Sequence, residues 1–157
     1  MNRLNTIGLE PSKAEDLAKD LNQLLADYQI YYQNLRGFHW NVKGEQFFEL
    51  HEKFEELYND ALVKIDEIAE RVLTLGATPL HSFSAYIEKA DIQEARGVEQ
   101  GKACVEVVLN NLGALVRLER QILDKSGEAN DEGTNALMSD YIREQEKLVW
   151  MLSAYLS

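Results

Sequence analysis

Residues 44–75 read GEQFFELHEKFEELYNDALVKIDEIAERVLTL, and their spacing predicts one unbroken helix. Apolar side chains fall at Phe47, Leu50, Phe54, Leu57, Tyr58, Ala61, Ile65, Ile68, Ala69, Val72 and Leu73, the three-and-four rhythm of a packed helical face. Gly76 follows as a left-handed C-cap, and Pro79 prevents continuation.

The same helix carries a pattern that packing alone does not require. At about 100° per residue, His51, Glu55, Asp66 and Glu70 project within an arc of roughly 100°. Imidazole with carboxylate is a ligand set for iron, zinc or manganese, whereas calcium prefers oxygen alone. Fifteen residues separate His51 from Asp66, about 22 Å at a rise of about 1.5 Å per residue. Metal–ligand bonds are only about 2 Å long, so His51 and Asp66 of one chain cannot hold the same ion. Either they belong to a site built by two chains, or they are ordinary helix residues: a capping histidine and a solvated acidic face. A two-fold axis near Tyr58 and Asn59 would set His51 of one helix opposite Asp66 of its antiparallel mate and generate two equivalent sites.

Upstream, Pro11-Ser12-Lys13-Ala14-Glu15 has the form of a helix start, with Ser12 as N-cap and Glu15 closing a capping box. Leu17, Leu21, Leu24, Leu25, Tyr28, Tyr31, Tyr32 and Leu35 lay an apolar face from there toward His39. Gly37 loosens the helix end, and residues 39–44 are expected to turn into the long helix, making an antiparallel hairpin. Across that turn, twelve residues apart, His39 and His51 can converge on one ion. Trp40 is by default an interface anchor; beside a redox metal it is also a candidate sacrificial electron donor.

Downstream, the helical pattern breaks from Gly76 to Gly97, with a short helix expected over residues 82–89. A crossover this long lets the third helix start near the beginning of the second. His81, two residues beyond Pro79, reads as a surface loop residue. The third helix is expected over residues 98–123. Cys104 lies at the margin of its apolar face as a small packed hydrophobe, with a thiolate metal ligand as the alternative. Residues 124–133 form an acidic, glycine-containing turn whose Asp124, Glu128, Asp131 and Glu132 are helix caps or, in a symmetric shell, the rim of a cation pore. A fourth helix, residues 134–156, ends the chain. Four amphipathic helices with one long crossover make an all-α, ferritin-like four-helix bundle with a short extra helix in the crossover. Di-iron members of that class use Glu-x-x-His pairs inside one bundle, yet Arg36, Phe48 and Thr78 stand three residues before the three histidines. An intrachain site of that kind is therefore absent.

A chain of 157 residues with 45% hydrophobic side chains and two prolines is expected to be a single domain with a sizeable core. The lone Cys104 excludes an internal disulfide and suits a reducing cytosol. Residues 1–10 lack the apolar stretch of a signal peptide, and no run of eighteen apolar residues exists to span a membrane. The net charge of −11 repels a polyanion and attracts cations.

His39-Trp40-x-x-x-Gly44-x-x-Phe47-Phe48-x-Leu50-His51, then Asp66-Glu67-Ile68-Ala69-Glu70-Arg71 and Leu75-Gly76-x-x-Pro79, resembles the signature of the Dps miniferritins, the starvation-induced proteins of prokaryotes. The resemblance implies a hollow, cytoplasmic dodecamer with ferroxidase centres at its two-fold interfaces. It implies that His39 and His51 come from one subunit and Asp66 and Glu70 from its mate. Glu55 would help to hold a second iron, and Trp40 would lie beside the centre. The implied reaction is oxidation of Fe(II), preferably by hydrogen peroxide, with storage of ferric mineral in the cavity. The residues around 124–132 are similar to the family's acidic pore region, with Ala136 in place of one acid. The family also contains DNA binders, commonly through a lysine-rich tail. Here the only basic side chain before Ser12 is Arg3, so DNA condensation is not expected, and a nucleoid protein with incidental metal is the alternative reading.

Overall fold

The computed structural model describes residues 4–157; Arg3 lies outside them. Five helices follow in order: α1 (Pro11–Asn41), α2 (Phe47–Thr74), α3 (Phe83–Lys89), α4 (Gly101–Glu128) and α5 (Glu132–Leu156). Among the described residues the only β-type pairing is an isolated bridge between Lys43 and Gln100. The fold is thus the expected all-α bundle of four long helices with a short extra helix in the crossover. Leu21, Leu24, Tyr28, Leu35, Phe54, Ile68, Val108, Leu112, Leu115, Ile122 and Met138 fill its core.

Beyond α2 starting at Phe47 rather than Gly44 and α4 at Gly101 rather than residue 98, the structure departs from the sequence reading in four main places. Pro11 takes the first helical position, which its fixed φ favours. Glu10, not Ser12, is therefore the N-cap residue, and the Ser12 hydroxyl donates to Glu10 Oε1 at 3.2 Å. At its far end α1 runs through Gly37 to Asn41, so His39 and Trp40 are helical and the turn is confined to residues 42–46, with Gly44 at φ +120°. Leu73 is exposed rather than packed. Finally, α4 extends to Glu128, and the chain reverses within three residues around Asn130 at φ +57°. Asp131 is buried there. It accepts from Thr134 N at 3.0 Å and from Arg71 Nη2 at 2.6 Å, so it is a helix cap and not a pore acid of this chain. Asp124, Glu128 and Glu132 are exposed.

The crossover is clamped by polar side chains of α1. Asn22 holds the Thr78 carbonyl and the Leu80 amide, Asp27 accepts from the amides of Asp91 and Ile92, and Asn34 holds the Gln93 carbonyl and the Ala95 amide. α3 sits on this track, N-capped by Ser82. The crossover ends where Lys43 N donates to Glu99 O at 2.8 Å, returning α4 to the level at which α2 began.

Candidate metal centre

Because α1 and α2 are antiparallel across a short turn, the last turn of one lies beside the first turn of the other. His39 Nδ1 is 2.6 Å from the His51 carbonyl oxygen, and His51 Nδ1 is 2.7 Å from the His39 carbonyl oxygen. The rings stack with centroids 3.9 Å apart and planes 12° from parallel. A carbonyl oxygen only accepts, so each Nδ1 carries a hydrogen and Nε2 is the nitrogen left facing outward to meet a cation. Phe47 stacks on His51, and Tyr58 meets the His39 ring edge-on at 5.4 Å. The pair is fixed on both sides, as metal-ligating histidines require of their supports. Glu55 Oε1 lies 3.6 Å from His39 Nε2. An imidazole nitrogen facing a carboxylate is a donor set for a cation.

Asp66 and Glu70 are exposed one turn apart on α2. They lie fifteen and nineteen residues beyond His51 in the same unbroken helix, about 22 and 28 Å along its axis. The structure therefore gathers His39, His51 and Glu55 at one end of α2 and leaves the acid pair toward the other. Among the described residues, no three His, Cys, Asp or Glu side chains of one chain form a group able to hold a metal ion.

Trp40 is exposed and lies under the Arg36 guanidinium at 5.1 Å. The same cation covers Tyr58 at 4.8 Å and donates to the Tyr32 hydroxyl at 2.9 Å. The ring that abuts His39 is thus Tyr58, which the sequence reading treated only as a packing residue. Cys104 is fully buried, with Sγ 3.5 Å from the Val98 carbonyl oxygen, and burial pushes its thiol up to about 11. A neutral thiol in such a place packs as a small hydrophobe and is not poised to bind metal.

The interior holds a polar cluster that the sequence reading passed over. Glu119 of α4 is fully buried at the position where the stripe Val108, Leu112, Leu115 and Ile122 calls for an apolar residue. That misfit was a visible signal. Its Oε2 lies 2.6 Å from the Tyr28 hydroxyl, and the Gln145 amide spans the two side chains. Burial drives the Glu119 carboxyl up to about 8, against the hydrogen bonds from Tyr28 and Gln145 and the charges of Lys64 and Arg120. Lys64 sits on the apolar stripe of α2 and is held by Asp60 at 2.6 Å and Glu144 at 3.0 Å.

Residues 18–157 match the ferritin-like domain family. The crystal structure of Dps from Vibrio cholerae O1, described as a member of the ferritin-like diiron-carboxylate superfamily, superposes with a TM-score of 0.96. It is 53% identical and covers 98% of this chain and 97% of that one. Dps from Bacillus brevis superposes with a TM-score of 0.90 at 42% identity, covering 93% and 98%. The DNA protection during starvation protein of Porphyromonas gingivalis is 45% identical over 97% of this chain and 96% of its own length. Likeness of this extent, over a bundle lacking the intrachain Glu-x-x-His pairs, means that the chain belongs to the Dps family of ferritin-like proteins.

Proposed function

We propose that this protein is a ferroxidase and iron store. It oxidises Fe(II), with hydrogen peroxide as the preferred oxidant, at centres shared by two subunits, and holds the ferric product as mineral inside a hollow twelve-subunit shell. The observation that carries this reading is the reciprocally locked pair His39 and His51, each held through Nδ1 with Glu55 beside the Nε2 of His39. Asp66 and Glu70 of a second copy would complete the set, because the length of α2 forbids their coming from the same chain. Leu62 and Val63, near the midpoint of α2, are 50% and 60% exposed, and an antiparallel mate would cover them.

The donor set suits the chemistry. His39 and His51 hold the ferrous ion, Asp66, Glu70 and Glu55 favour the ferric state, and two ferrous ions supply both electrons that reduce one peroxide to water. Hydroxyl radical then need not be released, and DNA is protected chemically rather than by coating. Trp40, one residue from His39, is assigned the part of a sacrificial donor for stray oxidising equivalents. Asp124, Glu128 and Glu132 are assigned to a cation path through the shell.

The test is the double variant His39→Ala, Asp66→Ala. Fast peroxide-dependent formation of ferric absorbance under anaerobic Fe(II) loading should be lost, while size-exclusion chromatography shows the same assembly as the parent. Unchanged kinetics would refute the assignment.

A further inference from the structure

Tyr58 of α2 is half-buried, and its ring meets that of His39 edge-on with centroids 5.4 Å apart, within the range of aromatic rings in contact. The other ring against the histidine pair is Phe47, stacked on His51 at 5.0 Å, and a phenyl ring gives up an electron far less readily than a phenol. Trp40, by contrast, is exposed and faces a guanidinium. That guanidinium is Arg36, which lies over Tyr58 at 4.8 Å, over Trp40 at 5.1 Å and over Tyr32 at 5.9 Å, and donates to the Tyr32 hydroxyl at 2.9 Å. Tyr58 and Trp40 thus share one cation, but its charge weighs on them differently. A fixed cation over a ring resists loss of an electron that leaves positive charge behind. An indole that loses one electron is first a radical cation. A phenol sheds its O–H proton with the electron and ends neutral, so Arg36 opposes oxidation of Tyr58 less than oxidation of Trp40.

We propose that Tyr58 is the first electron donor beside the shared centre, intercepting one-electron oxidants made there. The inference rests on the proposed peroxide-dependent ferroxidase and concerns the case in which a centre holds one ferrous ion instead of two. A single ferrous ion gives hydrogen peroxide one electron, leaving ferric ion, hydroxide and hydroxyl radical. The radical takes a hydrogen atom from the Tyr58 phenol. The phenolic O–H bond breaks, a new O–H bond completes a water molecule, and the unpaired electron stays on the Tyr58 oxygen and ring. Trp40 then acts after Tyr58 rather than before it.

In the test, assembled protein is loaded anaerobically with fewer ferrous ions than centres, mixed with excess hydrogen peroxide and frozen for electron paramagnetic resonance. Ring-deuterated tyrosine separates a tyrosyl from a tryptophanyl signal, and a spin trap counts the hydroxyl radical that escapes. Tyr58→Phe removes one hydroxyl and keeps the ring against His39, so the fold is retained. The parent should show a tyrosyl signal that narrows on deuteration. Tyr58→Phe should lose most of that signal and release more trapped radical for each Fe(II) oxidised. Loss of the signal without that rise would make Tyr58 only a support for His39 and overturns the donor role. A tyrosyl signal unchanged in Tyr58→Phe, or a parent signal that is tryptophanyl and disappears in Trp40→Phe, overturns it as well and leaves the ferroxidase reading standing. So does a parent that oxidises Fe(II) with peroxide and forms no protein radical. A parent that does not oxidise Fe(II) with peroxide overturns the ferroxidase reading and the role of Tyr58 together.

Discussion

Glu119→Gln isolates the protonation of the buried carboxyl. Tyr28, Glu119 and Gln145 make three mutual contacts: Tyr28 to Glu119 Oε2 at 2.6 Å, Gln145 to Glu119 Oε1 at 2.6 Å with the amide nitrogen toward the acid, and Tyr28 to Gln145. A neutral Glu119 closes this ring, the acid donating to Tyr28, Tyr28 to the amide oxygen, and the amide nitrogen back to the acid. With the amide nitrogen toward the acid, an ionised Glu119 takes the single Tyr28 proton and leaves the contact between Tyr28 and the amide oxygen without one. Geometry and burial therefore agree that the folded state keeps the proton to about pH 8, whereas the unfolded chain releases it near 4.5. The folded state binds more protons throughout that window, so the stability from this group is fully present below about pH 4.5 and is lost as pH rises through 8. Each pH unit inside the window withdraws up to about 1.4 kcal/mol. Between pH 5.5 and 7.5 the parent should therefore lose roughly 2–3 kcal/mol more than Glu119→Gln, whose amide can still donate and accept in the ring but cannot ionise. Guanidinium unfolding of metal-free protein at those two pH values measures the difference, and other titrating groups cancel between the two proteins. Equal pH dependence would mean that Glu119 is ionised in the folded state and that the ring is misassigned.

Arg71→Ala removes the guanidinium that holds Asp131 at 2.6 Å and the Thr134 hydroxyl at 2.9 Å; it should cost about 1–3 kcal/mol and lower the thermal midpoint by about 2–4 °C for each kcal/mol. An unchanged midpoint would show that the Asp131 cap stands without it. Cys104, buried and with its thiol pushed up to about 11, should resist Ellman's reagent in the native protein and react fully in denaturant. Rapid native labelling would place the thiol at the surface. In a gel shift at low salt the protein should leave duplex DNA unretarded, as its charge of −11 predicts; tight, salt-sensitive retardation would favour the nucleoid reading instead.

Most of the architecture is written in periodicity. The apolar rhythm of α2, the glycine after it and the length of the crossover led to the bundle, and its ends were read to within a few residues. The errors share a cause. At Ser12, Gly37 and the residues after Leu123 local propensity is overridden by the neighbouring structure. Pro11 presets the start of α1, the hairpin packing carries α1 through Gly37, and a left-handed Asn130 with the half-buried Arg71 on the buried Asp131 shortens the last turn. Glu119 and Lys64 show in the sequence only as polar misfits on apolar stripes, because their partners, Tyr28 and Gln145 or Asp60 and Glu144, come mostly from distant segments.

The candidate centre shows where sequence spacing reaches its limit. Spacing was enough to exclude a shared ion between His51 and Asp66 of one chain, since helical rise is fixed. It allowed His39 and His51 to converge without saying which nitrogen each would offer. That choice is made by two backbone carbonyls, each belonging to the other histidine. Backbone acceptors have no residue code, so no motif records them, yet they turn two common side chains into oriented donors. The proposed metal site rests on residue types legible in the sequence, whereas the atoms they would offer are selected by the backbone around them.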